Sequence, residues 1–304
     1  MFNAVCKLPE IKNEPIKCYA PGSPERISLQ KKLAEMRSVV VDLPMIISGK
    51  EVRSGNKKEI RPPHDTAHLL GYYHQGDKSH IKMAIDAAMA AKPEWEAMSW
   101  EARASIFLKA ADLIAGPYRD KINAATMLGQ SKNAYQAEID SACELTDFYR
   151  FNVRNMVEIY KMQPSSSAGV WNKTAWRPLE GFVFALTPFN FTAISGNLPG
   201  APALMGNVCV WKPSKTAAYS ASVVMEVLKA AGLPDGVINL VYCSGNDASD
   251  VIFSDRNFAG IHFTGSTGVF NEIWKTIVNN IDKYVTYPRI VGETGGKDYI
   301  FAAP

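Results

Sequence analysis

The chain has 304 residues, of which 47% are hydrophobic and 21% are charged. This composition is typical of folded soluble domains and excludes the charge-rich signature of disorder. Lys and Arg number 33 against 30 Asp and Glu, and the net charge of +3 argues against nucleic acid or an anionic membrane as a partner. No apolar run approaches the roughly 18 residues of a membrane span. We therefore expect a small-molecule partner, no nucleic acid and no membrane.

The cysteines and histidines form no metal-binding pattern. The five cysteines are Cys6, Cys18, Cys143, Cys209 and Cys243. They contain no CxxC pair, and His64 and His68, although four residues apart, follow two prolines in a predicted loop. We predict no metal site and a reducing compartment. No secretory signal or transit peptide is visible, since the first 20 residues contain Glu10 and Glu14 but no Arg.

The N-terminal half predicts strands first and helices afterwards. Residues 45–52 predict a hairpin that turns at Ser48–Lys50, and residues 69–73 predict another short strand, both at a sheet edge. Apolar residues then recur at helical spacing from Asp77, a candidate N-cap, to about Tyr160. This middle stretch is therefore predicted to be mostly helical.

After Leu179 short apolar strands alternate with amphipathic helices. The predicted strands are 181–187, 207–212, 237–243, 258–264 and 289–293, and the predicted helices are 193–205, 217–231 and 269–279. Parallel strands need crossover connections, so this alternation predicts a parallel sheet with helices on its faces. Ligands bind such sheets beyond the carboxyl ends of the strands, beside helix N-termini that attract phosphate. The GxGxxG fingerprint follows none of these strands, which disfavours a standard Rossmann dehydrogenase.

Several sequence blocks resemble the aldehyde dehydrogenase family. Residues 187–194 are Thr-Pro-Phe-Asn-Phe-Thr-Ala-Ile, residues 200–207 are Gly-Ala-Pro-Ala-Leu-Met-Gly-Asn, and residues 211–214 are Trp-Lys-Pro-Ser. Phe-Thr-Gly-Ser at 263–266 and Gly-Glu-Thr-Gly-Gly-Lys at 292–297 follow in the same order. Within the family, the Pro-Phe-Asn-Phe-Thr-Ala block looks most like the 1-pyrroline-5-carboxylate dehydrogenases.

The resemblance runs from about Gly22 to Pro304 and implies an α/β fold. It implies the Rossmann-like, parallel-sheet cofactor-binding domain of the aldehyde dehydrogenase fold, with a helical N-terminal portion and with the catalytic domain largely absent. We expect four parts: an N-terminal extension (1–43), a strand-then-helix part of the cofactor domain (44–178), a Rossmann-like NAD-binding core (179–292) and the start of a truncated catalytic domain (293–304).

The resemblance also implies an activity. The family reaction is the NAD-dependent oxidation of L-glutamate γ-semialdehyde to L-glutamate in proline catabolism, in the mitochondrial matrix of eukaryotes. This chemistry requires a thiolate nucleophile, hydrogen-bond donors for an oxyanion, a nicotinamide that takes the hydride, and a base that activates water. A homo-oligomer is implied for the complete enzyme.

Roles carry over to residues at the predicted strand ends. Asn190 matches the family's oxyanion donor, and Glu293 matches its general base, whose pKa partial burial would raise. Lys212 matches the lysine that binds the adenosine ribose, and Thr187 matches a cofactor contact. The turn near the pyrophosphate matches Gly265, Ser266, Thr267, Gly268 and Val269. Without the resemblance, a turn asparagine is the favoured interpretation of Asn190, and Glu293 and Lys212 can be a solvated glutamate and a strand-end lysine. For residues 265–269, a plain tight turn and a pyrophosphate contact are then equally plausible.

Two positions depart from the family pattern. Lys215 stands where the family usually has an acidic residue for the ribose hydroxyls, which leaves the preference between NAD and NADP open. The family's nucleophilic cysteine lies a few dozen residues beyond the base, whereas 11 residues follow Glu293 and none is a cysteine. Cys209 and Cys243 lie in or beside predicted strands and are expected to be inert thiols.

These departures predict that the 304-residue chain alone has no dehydrogenase activity. Two alternatives remain: a non-catalytic NAD-binding isoform or partner of the full-length enzyme, and a truncation without a stable fold. The second alternative predicts aggregation, because an apolar interface would be left uncovered. The coding sequence after Pro304 would discriminate most directly between a fragment of an ordinary enzyme and these alternatives.

Overall fold

The secondary structure comes from a computed structural model that describes residues 7–296 and 300–302. Cys6 and Lys297 therefore lie outside the described residues. The strands are β1 (Val41–Leu43), β2 (Met45–Ile47), β3 (Lys50–Val52), β4 (Lys57–Ile60), β5 (Gly71–His74), β6 (Phe182–Leu186), β7 (Val208–Lys212), β8 (Ile238–Leu240), β9 (Phe258–Gly265) and β10 (Arg289–Thr294). The α-helices are α1 (Pro24–Ser38), α2 (Lys78–Ala97), α3 (Trp100–Ala115), α4 (Arg119–Gln130), α5 (Ala134–Ala137), α6 (Glu144–Lys161), α7 (Thr192–Leu204), α8 (Ala218–Ala231), α9 (Gly245–Ile252) and α10 (Thr267–Asn279).

The larger sheet has seven strands in the order β10-β9-β6-β7-β8-β2-β3. The first five run parallel, and the β2–β3 hairpin adds two antiparallel strands at the β8 edge. The strand order reverses at β6, which has β7 on one side and β9 on the other. This arrangement confirms the predicted α/β fold and parallel sheet, and the reversal is the place where such sheets bind ligands.

The central strands are buried on both faces, which explains their continuous apolar sequences. Phe184 in β6 and Trp211 in β7 have almost no exposed surface. Phe182 packs edge-on against Phe258 of β9, with ring centroids 6.1 Å apart. β6 and β9 are thus fixed to each other by aromatic packing as well as by their hydrogen bonds.

The β2–β3 hairpin is confirmed, but the prediction for the strand at 69–73 was wrong in one respect. Ser48 and Gly49 have φ values of 50° and 70°, the left-handed pair of a tight hairpin turn. β5 lies at the centre of a separate three-stranded sheet, β1-β5-β4, rather than at an edge. The sequence did not predict β1 or β4, because β1 has three residues and β4 is polar and mostly exposed.

The helical middle of the chain is confirmed, with an interruption. Asp77 caps α2 as predicted, and its carboxylate accepts hydrogen bonds from the N–H groups of Ser79 and His80. Between α5 and α6 the backbone forms a π-helical turn, Glu138–Cys143, that periodicity did not indicate. Among the described residues, no helix combines the length and the apolar character that crossing a membrane would require.

The π-helical turn contains a fully buried carboxylate. The Glu138 carboxylate accepts hydrogen bonds from Arg119 Nε at 3.1 Å, Tyr19 Oη at 2.7 Å, Asn123 Nδ2 at 2.8 Å and the Lys17 amide at 2.9 Å. Burial by itself would raise the pKa of Glu138, but these donors outweigh it and hold that pKa below its ordinary value. The carboxylate is therefore charged and fully paired inside the protein.

A second set of contacts attaches the N-terminal segment 13–19 to the helices. Glu14 pairs with Arg119 at 2.6 Å and with Arg150 at 2.8 Å. The Asp147 carboxylate accepts hydrogen bonds from the Glu14 amide and from Asn13 Nδ2, both at 2.7 Å. The segment that the sequence left unstructured is therefore held against α4 and α6.

We expect Glu138→Ala to lower the free energy of unfolding by about 3–5 kcal/mol, because the buried Arg119 would lose its fully buried partner and keep only Glu14 among the described carboxylates. Urea denaturation followed by circular dichroism measures this change. The control is Glu158→Ala, which removes an exposed pair with Lys161 and should change stability by less than about 1 kcal/mol. A loss below about 1 kcal/mol for Glu138→Ala would contradict the account of the network.

Candidate cofactor and catalytic site

The parallel register brings the predicted site residues to one edge of the larger sheet. Leu186 at the end of β6 pairs with Lys212 on one side and with Phe263 on the other. Glu293 of β10 pairs with Thr264 of β9. Because all four strands run in the same direction, the loop after β6, the end of β7, the β9–α10 turn and Glu293 share this edge.

Thr187 is buried and bonded on both sides. Its hydroxyl hydrogen-bonds with Ser195 Oγ at 3.0 Å and accepts a hydrogen bond from Trp211 Nε1 at 3.1 Å. Its amide donates to the carbonyl of Lys212 at 3.2 Å. Thr187 thus anchors the start of the β6–α7 loop to both α7 and β7.

Asn190 lies in the same loop, two residues before α7, and its side chain is exposed. Its neighbours Phe189 and Phe191 are 64% and 38% exposed. The hydrogen bonds that fix this loop among the described residues involve Thr187, Thr192 and the α7 backbone rather than the Asn190 amide. The amide therefore remains available to a ligand above the sheet edge.

A cleft of about 390 Å³ opens beside Lys212, between α9 and α10. The residues that line it include Leu186, Lys212, Asn246, Ser249, Gly268 and Val269. Burial lowers the pKa of Lys212, and only the nearby Cys243 opposes this effect among the described residues. A mostly buried ammonium without a carboxylate partner leaves its hydrogen bonds to be made with a ligand.

The β9–α10 turn places a helix N-terminus at this cleft. Ser266 caps α10, and its hydroxyl accepts a hydrogen bond from the Val269 amide at 3.4 Å. The first amides of α10 have no partner inside the helix and carry the positive end of its dipole. Gly268 lines the cleft, and a Cβ there would meet no atom within 4 Å. Gly265 ends β9, Ser266 is the N-cap and Thr267 is the first residue of α10. None of these three residues lines the cleft.

Glu293 is exposed, so the expected partial burial is not found among the described residues. The reason is topological: β10 is the edge strand, and one of its sides pairs with no other described strand. Thr264 Oγ1 donates a hydrogen bond to Glu293 Oε2 at 3.2 Å. Gly295 and Gly296 follow with φ values of 93° and 73°, which a side chain would disfavour. The base candidate therefore sits on a strand end that leads into a turn requiring glycine.

The remaining sequence candidates do not add a nucleophile. Burial raises the pKa of Cys209 well above its ordinary value, and it raises the pKa of Cys243 to about 12. Thiols with such pKa values carry little thiolate at neutral pH. Lys215 is exposed in the short 3₁₀ turn after β7 and does not line the cleft. No group of three or more His, Cys, Asp or Glu suited to a metal occurs in the described part of the chain.

Two features of this edge were missed from the sequence. The first is α9, which supplies Asn246 and Ser249 to the cleft. Its signal was present: Ser244 is followed three residues later by Asp247, and the Ser244 hydroxyl accepts a hydrogen bond from the Asp247 amide at 3.0 Å. The second is Asp140, which contacts α7 from 52 residues away and left no local signal.

The whole-chain comparisons agree with this architecture. A sequence model of the aldehyde dehydrogenase family matches residues 51–303. The chain belongs to the aldehyde dehydrogenase family. The family resemblance predicted from the motif blocks is thereby confirmed.

Within the aldehyde dehydrogenase family, the relatives bear one common description. The delta-1-pyrroline-5-carboxylate dehydrogenase of Agaricus bisporus is 53% identical over 298 residues, which cover 97% of this chain and 54% of that protein. The mitochondrial enzyme of Homo sapiens is 44% identical, over 96% of this chain and 52% of its own length. The crystal structure of the Mycobacterium tuberculosis enzyme bound with NAD superposes with a TM-score of 0.96 at 51% identity, over 98% of this chain and 56% of that one. The chain thus spans about half the length of these relatives.

We expect Lys212→Met to stabilise the ligand-free protein by about 0.5–2 kcal/mol at neutral pH. Burial in the folded protein lowers the pKa of Lys212. At any pH below that lowered pKa, the folded protein carries the full free-energy cost of the buried ammonium. The gain should shrink as pH rises toward the ordinary lysine pKa of about 10.4. The closer the pH is to that value, the less free energy the lysine of the unfolded wild type needs to release its proton as the protein folds.

Urea denaturation at several pH values measures the gain. Lys173→Met, at an exposed loop position, is the matched control and should change stability by less than about 0.5 kcal/mol. Destabilisation by Lys212→Met of more than about 1 kcal/mol would show that the lysine serves the fold rather than a ligand.

Proposed function

We propose that this chain binds NAD in the cleft between α9 and α10 and carries part of the catalytic site of a 1-pyrroline-5-carboxylate dehydrogenase. The observation that carries the proposal is the position of the cleft. It lies where the strand order reverses, and it is lined by the mostly buried Lys212 and by the first turn of α10. All its lining residues fall within 179–292, the range we propose as the NAD-binding core.

The residues around the cleft fit the cofactor. Its volume lies in the range of small-ligand pockets, and its wall is mainly apolar with a few polar groups, as an adenosine requires. Lys212 would bind the ribose hydroxyls with its ammonium. The open position at Gly268 would let the α10 amides approach the pyrophosphate, which the helix dipole favours. Thr187 and the turn from Gly265 to Val269 complete the proposed cofactor contacts.

NAD, when bound, supplies the hydride acceptor for aldehyde oxidation. The chain's own part is to hold charge and move a proton. The Asn190 amide would donate a hydrogen bond to the oxygen that becomes negative as the aldehyde is attacked, a contribution of roughly 100- to 1,000-fold in rate. The Glu293 carboxylate would accept a proton from the water that releases the acid product. Both side chains are exposed at the same sheet edge, as these roles require.

The substrate we propose is L-glutamate γ-semialdehyde, which the enzyme would oxidise to L-glutamate in proline catabolism. The support is the similarity to enzymes named delta-1-pyrroline-5-carboxylate dehydrogenase, at 44–53% identity for the human and Agaricus proteins. The relatives from Homo sapiens and Dictyostelium discoideum are named mitochondrial, which supports a mitochondrial matrix location. A homo-oligomer is proposed for the complete enzyme.

We expect the separate 304-residue polypeptide to show no oxidation of the semialdehyde. Burial raises the pKa of Cys143, Cys209 and Cys243, so these three thiols carry little thiolate at neutral pH. The measurement is the formation of reduced NAD by the purified chain, followed by absorbance. Turnover that Glu293→Ala abolishes, and that the exposed control Glu158→Ala retains, would refute the prediction.

The alternative function is a non-catalytic NAD-binding protein, which acts alone or pairs with the complete enzyme. The raised thiol pKa values beside an intact cofactor cleft favour it. NAD binding without turnover fits both proposals for this chain. They are separated by mixing the chain with a complete enzyme: pairing that changes the enzyme's activity supports the alternative.

We expect the chain to bind NAD, and Gly268→Val to weaken that binding at least tenfold. A Cβ at this cleft-lining position meets no protein atom within 4 Å, so we expect the added side chain to take up ligand space and to lower the affinity while the melting temperature changes little. Isothermal titration calorimetry measures both variants against the wild type. Asn271→Val is the matched control, because Asn271 is exposed on α10 away from the cleft.

Absence of NAD binding to the wild-type chain at millimolar concentration would overturn the proposed function. Equal affinities for the wild type and Gly268→Val would place the cofactor elsewhere. Titration with NADP in the same experiment measures the preference between NAD and NADP, which the lysine at position 215 leaves open.

A further inference from the structure

Helix α7 begins without a capping side chain of its own. Its N-cap residue is Phe191, which offers no side-chain acceptor. The first amides of a helix have no partner inside the helix, and leaving them unpaired when buried costs free energy. Thr192 and Ala193, the first two residues of α7, are both buried. Their amides must therefore find acceptors elsewhere in the protein.

Asp140 supplies those acceptors from the π-helical turn. Its carboxylate oxygens accept hydrogen bonds from the Thr192 amide at 3.3 Å and the Ala193 amide at 3.4 Å. Lys132 Nζ lies 2.7 Å from the same carboxylate. Asp140 is 2% exposed, so protein groups rather than water surround its carboxylate. A carboxylate at a helix N-terminus is also favoured by the helix dipole.

Lys132 also contacts Phe191, the residue next to Asn190. Its ammonium lies 3.9 Å from the ring centroid of Phe191, a close cation–π contact. Lys132 and Asp140 together thus fix Phe191, Thr192 and Ala193. On the other side of Asn190, Thr187 is anchored by Ser195 and Trp211. Asn190 is an exposed residue in a short loop whose two ends are both held.

We propose that Asp140, balanced by Lys132, is a positioning residue that fixes the start of α7 and thereby orients the Asn190 amide. The catalytic value of this orientation rests on the proposed function. The positioning itself is a property of the chain without cofactor or substrate. A carboxylate is required because it accepts from two amides while pairing with the ammonium, which an asparagine oxygen does only in part.

The test is hydrogen–deuterium exchange of the full 304-residue chain, followed by mass spectrometry of peptides that cover 187–195. Asp140→Ala should speed exchange in these peptides about tenfold or more, because two buried amides lose their acceptor. Asp140→Asn should give an intermediate rate. Asp147→Ala is the matched control, since that carboxylate also accepts a backbone amide but holds the N-terminal segment. It should speed exchange near residues 13–19 and leave 187–195 within about twofold.

A spectroscopic readout follows Asn190 directly. In a sample with isotope-labelled asparagine, the side-chain amide resonances of Asn190 are assigned by their loss in Asn190→Ser. They should move in Asp140→Ala, move less in Asp140→Asn and stay in place in Asp147→Ala. A general loss of stability on removing a buried or part-buried carboxylate contact would affect both aspartate variants alike.

Unchanged exchange in 187–195 for a folded Asp140→Ala variant would overturn the proposal, and so would equal acceleration by Asp147→Ala. If the alanine variant does not fold, Asp140→Asn decides: exchange about threefold faster supports the proposal, and exchange equal to wild type overturns it. Neither readout involves NAD binding or turnover. The positioning proposal and the proposed function can therefore fail separately.

Discussion

The parallel pairing of β6 with β7 on one side and β9 on the other is the constraint on which the site depends. It places Leu186 level with both Lys212 and Phe263, so three successive loops emerge at one edge. The burial of Phe184 and Trp211 opposes a change of register, since a slip would break the close packing of these large side chains on both faces of the sheet. The ammonium of Lys212, the first turn of α10 and the loop that carries Asn190 meet because the strands beneath them cannot shift.

The sequence predicted the elements whose signal is local. β6, β7 and β9 are mostly apolar runs, and α7, α8 and α10 follow them as separate helical segments, so these elements were predicted close to their observed bounds. The N-terminal elements were less visible. α1 buries only Leu29 and Met36, and it therefore has almost no amphipathic pattern. The π-helical turn is stabilised by Glu138 and its distant partners, which no periodicity within the turn can report.

The residues of the candidate site show the same difference between local and long-range signals. Lys212 and the β9–α10 turn were identified because a motif and a strand end coincide there, whereas the exposure of Glu293 depends on β10 being an edge strand. Asp140 was missed because its contact with Thr192 spans 52 residues. Local patterns thus indicated which groups lie at this sheet edge, and the packed helices determine how those groups are held. Glu138, the buried partner of Arg119, and Asp140 lie on one short turn, so stability and positioning share the same segment.

A crystal structure of the 304-residue chain with NAD tests the central claim most directly. The account predicts the adenosine in the cleft between α9 and α10, with its ribose hydroxyls at the Lys212 ammonium and its pyrophosphate at the first turn of α10. An adenosine bound elsewhere, with this cleft empty at saturating NAD, would contradict it.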